Sequence, residues 1–187
     1  MDAYLGERRI NIVQGEQRVE SDPSVVLTTI LGSCVSACLC DAEAGIGGMN
    51  HFLLPGEDVE SRPASSALAT QRYGVHLMEL LVNALLKKGA SRSRLQAKLF
   101  GGARMLKGLT DVGDSNAAFA ERFLREEGIA VIGGSLRGER GRRIQFWPVT
   151  GRAMQIEFGS NEDAIFRTES RIAPPPPPVS SGSLELF

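Results

Sequence analysis

The sequence predicts a layered α/β (α+β) sandwich, with a mixed sheet packed against two main helices. Three observations carry that prediction. Apolar runs come first, at Val25 to Ile30, which is rich in β-branched residues, Val35 to Cys40 and Gly45 to Pro55. A long stretch of helical periodicity follows, from about Ser66 to Lys88. Strand and helix candidates then alternate to about Phe158. This mixture reads as sheet and helix layers, and the early cluster of strands rules out a simple repeated βαβ order.

Each element has its own signal. Val25-Val26-Leu27-Thr28-Thr29-Ile30 ends at the turn Leu31-Gly32-Ser33, and Val35 to Cys40 is a second short run. The third strand is entered through Gly45, Gly47 and Gly48 and stopped by Pro55, as β-branched runs bounded by glycine and proline predict. Gly56 to Ala64 is polar, contains Pro63 and reads as a loop. In the first helix Leu68, Val75, Met78, Leu81, Val82 and Leu85 recur at three- and four-residue steps, and Gly89 after Lys87-Lys88 marks its end. Leu95 to Phe100 reads as a strand broken at Gly101-Gly102. Ser115 is the expected N-cap of a second helix, with Ala118, Phe119 and Phe123 on one side and Gly128 at its end. A buried strand is expected at Ile129 to Ile132 and further strands at Ile144 to Val149 and Ala153 to Phe158, with Gly133 to Gly141 as a glycine- and arginine-rich connection.

The 187 residues suit one domain with a tail, set here at 1–159 and 160–187. Hydrophobic residues make up 42% and charged residues 23%, which excludes wholesale disorder. With 21 Lys+Arg against 22 Asp+Glu, the formal net charge is −1. That balance argues against a chain whose main task is binding nucleic acid. No apolar stretch approaches a membrane span, and the N-terminal Met1 to Arg9 lacks the apolar core of a secretory signal. Cys34, Cys38 and Cys40 crowd together and are odd in number, so free thiols and a cytoplasmic setting are expected. Pro174 to Pro178 and Ser180-Ser181-Gly182-Ser183 cannot bury a core, so the tail is expected to be disordered. Its end, Leu184-Glu185-Leu186-Phe187, is apolar enough to dock on a surface; the plainer alternative is a terminus without function.

The chemistry concentrates around Cys34, with His51 seventeen residues later. A Gly-Ser turn can lift the sulfur out of a sheet and leave the Cys34 N–H unpaired, ready to stabilise an oxyanion. A free thiol ionises near pH 8.5 and needs a partner, commonly an imidazole. A third group usually orients that imidazole, and a threonine hydroxyl just upstream of the turn is suited to it. The bland readings are a buried small side chain for Cys34, as also for Cys38 and Cys40, and a packed or surface role for His51. His76 reads as a helix-face residue.

Zinc is a second reading, since Cys34, Cys38, Cys40 and His51 are suitable ligand types. The spacing is poor: a Cys-x-Cys pair on a strand shares a face but sits ~6.6 Å apart, from a rise of ~3.3 Å per residue. The run Gly134 to Arg143 is rich in glycine and arginine but lacks the Gly-Lys-Ser/Thr of a phosphate loop. It reads as a turn with solvated charges, whose Arg140 and Arg142 can meet an acidic partner. Gly101-Gly102 points to close backbone approach or to a sharp bend.

Several of these segments together resemble the CheD family of bacterial chemoreceptor glutamine deamidases. They are Leu31-Gly32-Ser33-Cys34-Val35, Asp41, Gly48-Met49-Asn50-His51-Phe52-Leu53-Leu54-Pro55, Lys98-Leu99-Phe100-Gly101-Gly102-Ala103, and Gly133-Gly134 with Gly141-Arg142-Arg143-Ile144. The likeness spans roughly Ile10 to Phe158. It implies an α/β sandwich similar to the catalytic domain of glutamine-deamidating toxins. It also implies a protein-glutamine glutaminase that converts glutamines of methyl-accepting chemotaxis receptors to glutamate and ammonia without a cofactor. By position, Cys34 is the implied nucleophile, His51 the base and acid, and Thr28 the third member, with Thr29 adjacent. The alternative it implies is a regulatory module acting on a CheC-type phosphatase.

Overall fold

The structure is a computed structural model that describes residues 6–54, 64–105 and 112–159. In chain order the strands are β1 (Arg8–Asn11), β2 (Gln17–Glu20), β3 (Val25–Leu31), β4 (Val35–Asp41) and β5 (Ile46–Asn50). Helix α1 (Ala64–Lys88), a 3-10 turn (Arg92–Arg94), β6 (Gln96–Gly101) and α2 (Val112–Glu126) follow. The described fold closes with β7 (Ala130–Leu136), β8 (Arg142–Trp147) and β9 (Arg152–Glu157). The strands form two sheets, ordered β1-β3-β8-β9 and β2-β5-β4-β6-β7. Each has one parallel pair, β1 with β3 and β6 with β7, among antiparallel ones.

The layered α+β class is the one expected, and the mixed pairing is divided between two sheets rather than held in one. Strand β4 shows why. All its residues are buried, and successive side chains on a strand point to opposite faces. Val35, Ala37 and Leu39 enter the core shared with Leu81 and Leu85 of α1 and Phe123 of α2. Cys38 and Cys40 enter a second core between the sheets, with Leu27, Met49, Ile144 and Phe146. The five-stranded sheet is therefore the middle layer. Each fully buried Leu or Phe contributes about 1.5–3 kcal/mol of apolar transfer, so both cores hold the layers in register.

Helix α1 buries Leu77, Met78, Leu81, Val82 and Leu85 along one stripe. It ends with Ala90 N–H on the Leu85 carbonyl at 3.0 Å and Gly89 N–H on Leu86 at 3.1 Å, the paired bonds of a Schellman stop. Helix α2 starts earlier than Ser115, which lies inside it and is no N-cap. Its first turn is drawn in by close approach: a Cβ at Gly113 would stand 2.5 Å from the Ala103 carbonyl oxygen. Strand β7 is exposed rather than buried, because it forms the edge of its sheet. It runs on through Gly133 and Gly134 to Leu136, where Lys98 to Gly101 of β6 supply a ladder.

Two ionic anchors brace the fold. The Asp41 carboxylate, at the end of β4, is buried and accepts bonds from Arg94 at 2.8 Å, Ser91 N–H at 2.8 Å and Ala44 N–H at 3.1 Å. The Arg94 guanidinium foremost, then the two backbone donors, pull its carboxyl down to about 2. Arg142 is only 1% exposed, which corrects its reading as a solvated charge. It donates to the Ser135 carbonyl at 2.6 Å and to the Arg137 carbonyl, so it clamps its own loop. The Gly56–Ala64 loop, apart from Ala64, and the 160–187 tail lie outside the described residues.

Candidate active site

Strand β3 belongs to the outer sheet and β4 to the middle one, so the chain must change layers between Leu31 and Val35. It does so through Gly32-Ser33, and Cys34 sits at the end of that step. All three carbonyls of the step are held: Gly32 by Ala103 N–H at 2.8 Å, Ser33 by Asn116 Nδ2 at 2.8 Å, and Cys34 by Gly102 N–H at 2.8 Å. Gly101 takes φ +103, and a Cβ there would lie 2.1 Å from the Cys34 carbonyl oxygen. The glycine pair therefore serves close backbone approach to Cys34.

His51 follows β5. Val35 pairs with Phe52 through bonds of 3.0 and 2.9 Å, which extends the antiparallel β4–β5 ladder. In that register Cys34 faces Leu53 and Ser36 faces His51, so Cys34 and His51 are diagonal neighbours on one face. Diagonal positions of this kind stand about 7–8 Å apart at the backbone, within reach of long side chains. That face looks across to β3 of the other sheet. The backbone of His51 is fixed by Gly15 N–H on its carbonyl at 2.8 Å and by its own N–H on the Glu16 carbonyl at 3.0 Å.

The imidazole meets Thr29, not Thr28. Thr29 Oγ1 lies 2.9 Å from His51 Nδ1 and donates to the Ile12 carbonyl at 2.7 Å. Thr28 is one residue along β3 and therefore points to the opposite face, away from the inter-sheet space. Thr29 has a single hydroxyl proton, and Ile12 receives it, so the oxygen accepts from His51 Nδ1–H. The lone pair then resides on Nε2, which is buried and without a hydrogen-bond partner among the described residues. Burial pushes the imidazole down to about 4, against the pull of the Ile12 carbonyl and Glu16. Burial likewise pushes the half-buried Cys34 thiol up to about 12, opposed by its own backbone amide. Both shifts favour the uncharged forms, a thiol and a neutral imidazole. Cys34 is half-buried, and its Sγ stands 3.7 Å from Oε1 of the exposed Gln14.

The zinc reading does not fit this arrangement. Cys38 Sγ lies 3.9 Å from Ser36 Oγ, and Cys40 Sγ donates to the Pro148 carbonyl at 3.2 Å, both inside the inter-sheet core. Among the described residues no three His, Cys, Asp or Glu side chains are grouped to hold a metal ion. Asn116 escapes a reading of the sequence because Ser115 before it resembles a cap. The available signal is a polar residue within the apolar stripe of Phe119, Ala120 and Phe123.

Fold and site together define a class: an α+β sandwich that presents a thiol and a neutral, threonine-bound imidazole on one sheet face. Comparison with known proteins narrows it. The family model for CheD chemotactic sensory transduction matches residues 53–156. A probable chemoreceptor glutamine deamidase CheD of Acidiphilium cryptum (strain JF-5) is 61% identical over 184 residues, covering 96% of this chain and 94% of that protein. Proteins of the same name from Rhizobium leguminosarum bv. trifolii (strain WSM2304) and Sinorhizobium medicae (strain WSM419) are 57% and 52% identical. Those alignments cover 96% and 100% of both chains respectively. The chain belongs to the CheD family. Among solved structures, Neisseria meningitidis NMB0706 overlaps at TM-score 0.38 and 16% identity, over 65% of this chain and 51% of that one. Bacillus licheniformis YfiH overlaps at TM-score 0.40 and 10% identity, over 72% and 61%. Among the described residues no helix is long and apolar enough to cross a membrane.

Proposed function

We propose that this chain is a cytoplasmic, thiol-dependent glutaminase that hydrolyses glutamine side chains of methyl-accepting chemotaxis receptors to glutamate and ammonia. The observation that carries this reading is the setting of His51: Nδ1 lies 2.9 Å from a Thr29 hydroxyl that itself donates to the Ile12 carbonyl, and the buried Nε2 has no hydrogen-bond partner among the described residues. That arrangement favours the proton on Nδ1 and a free lone pair on Nε2. The names of the curated relatives point to the same substrate class.

In this mechanism His51 Nε2 takes the Cys34 proton as the sulfur attacks the glutamine carboxamide carbon. A general base suits a pair that rests uncharged, because no ion pair has to be desolvated before substrate arrives. The tetrahedral oxyanion is stabilised by backbone N–H groups, that of Cys34 among them. The imidazolium returns its proton to the departing ammonia and leaves a thioester. Water then adds with His51 as base, releasing glutamate and the free thiol. Thr29 holds the ring in the reactive tautomer throughout and is a positioning residue. The chemistry calls for no metal or organic cofactor. The catalytic domain is taken to close after β9, near Gly159, with 160–187 as a separate tail.

Peptide mass spectrometry of a receptor cytoplasmic fragment incubated with the protein tests this function. Amide-to-acid mass shifts at particular glutamines are expected, and a fragment left unchanged after prolonged incubation would refute it. Binding of a CheC-type phosphatase is a separate capacity in this reading, and Cys34→Ala is expected to leave it intact.

A further inference from the structure

Asn116 is fully buried in the second turn of α2, where asparagine is a poor helix former. A buried carboxamide is costly unless its donor and acceptor are both used. Here both are used, and on separate segments. Its Oδ1 accepts the Leu54 N–H at 2.9 Å, and its Nδ2 donates to the Ser33 carbonyl at 2.8 Å. Leu54 lies three residues after His51, and Ser33 immediately precedes Cys34. One side chain thus ties the imidazole segment and the thiol segment to the same helix.

The Ser33 bond has a further geometric consequence. The Ser33 carbonyl and the Cys34 N–H belong to one planar peptide unit, and the described chain has no cis peptide bonds. In a trans unit the two groups point in opposite directions. Holding the carbonyl toward α2 therefore turns the Cys34 N–H away from α2. The same amide lies beside the Cys34 sulfur, where an oxyanion from thiolate attack would form. The Gly32 and Cys34 carbonyls on either side are held by backbone donors of Ala103 and Gly102, and that of Ser33 by a side chain. The aim of this amide is thus under the control of one replaceable group.

We propose that Asn116 is a positioning residue for the deamidation reaction, aiming the Cys34 N–H at the oxyanion through its bond to the Ser33 carbonyl. The inference rests on the reading of Cys34 as nucleophile. It goes beyond the thiol, imidazole and threonine by assigning control of the oxyanion donor to α2.

The test compares wild type, Asn116→Ala and the isosteric Asn116→Asp, with Cys34→Ala alongside. The carboxylate of Asn116→Asp would keep the acceptor for Leu54 N–H but turn a second oxygen toward the Ser33 carbonyl. Three readouts are taken on protein shown to be folded by circular dichroism: kcat and KM on a receptor fragment, and the rate of Cys34 alkylation by iodoacetamide. Alkylation uses the same sulfur but forms no tetrahedral oxyanion. Misaiming a stabilising donor is expected to lower kcat about 10²-fold, with KM and alkylation rate within about twofold of wild type. A folded variant with unchanged kcat would overturn the proposal. So would kcat and alkylation falling together, or failure of both variants to fold, since each of these outcomes makes the role structural. Full activity in Cys34→Ala would instead remove the underlying reading of the nucleophile.

Discussion

At the residue scale, the choice between two adjacent threonines shows how far spacing alone can reach. Val26 is as thoroughly buried as Val25 and Leu27, so β3 reads as a continuous apolar run and its sequence does not reveal which threonine faces inward. The ladder supplies that phase and puts Thr29 on His51. Thr29→Val is expected to lower kcat about tenfold, the worth of roughly one hydrogen bond. The loss is limited because the Ile12 carbonyl, 3.4 Å from Nδ1, can take over part of the role. Thr28→Val is expected to stay within about twofold, and steady-state ammonia release distinguishes the pair. His51 also makes a stability prediction. Its folded-state value of about 4 lies below the ordinary value of 6.5, so between those limits the unfolded chain binds a proton that the folded one does not. Stability falls as pH drops through that window, by at most about 1.4 kcal/mol per pH unit from this group. Urea midpoints measured from pH 7 to pH 4 should show a shallower loss in His51→Gln than in wild type.

At the scale of elements, legibility followed apolar content, in the exposed edge strands β7 and β9 as well as in buried β4. Strands β3 to β6 and helix α1 carry continuous or periodic apolar signals and stand close to where the sequence puts them. Strands β1 and β2 carry none, because Arg8-Arg9-Ile10-Asn11 and Gln17-Arg18-Val19-Glu20 are mainly polar sheet edges. Their pairing is set by β3 and β5, not by their own composition. Yet the connection between them matters, since it supplies Gln14 beside the thiol and the backbone clamp on His51. The end of β6 matters equally. Gly101→Ala forces a side chain into the left-handed region and against the Cys34 carbonyl, at a cost of about 1–3 kcal/mol in backbone strain. Its relief displaces the carbonyl held by Gly102. The variant should therefore lose both melting temperature and kcat, as thermal unfolding and a deamidation assay would register.

For the whole molecule, the sequence conveyed the layers but not the division into two sheets. That division depends on pairings such as Leu27 with Phe146, which join distant parts of the chain and leave no local trace. It also makes the site: the imidazole hangs from the middle sheet, its threonine from the outer one, and the thiol from the step between them. Among the described residues, the chain past β9 is tied back by Phe158 N–H on the Gly141 carbonyl at 2.9 Å, which lies inside the proposed domain boundary near Gly159. Truncation after Gly159 is expected to keep the melting temperature within about 2 °C of the full chain and to leave the rate of deamidation unchanged. The most direct measurement is the initial rate of ammonia release from a receptor fragment by wild type, Cys34→Ala and His51→Gln, each verified as folded. The account predicts no detectable turnover without the sulfur and a loss of about 10²–10⁴-fold without the imidazole. Wild-type rates in folded Cys34→Ala would contradict it.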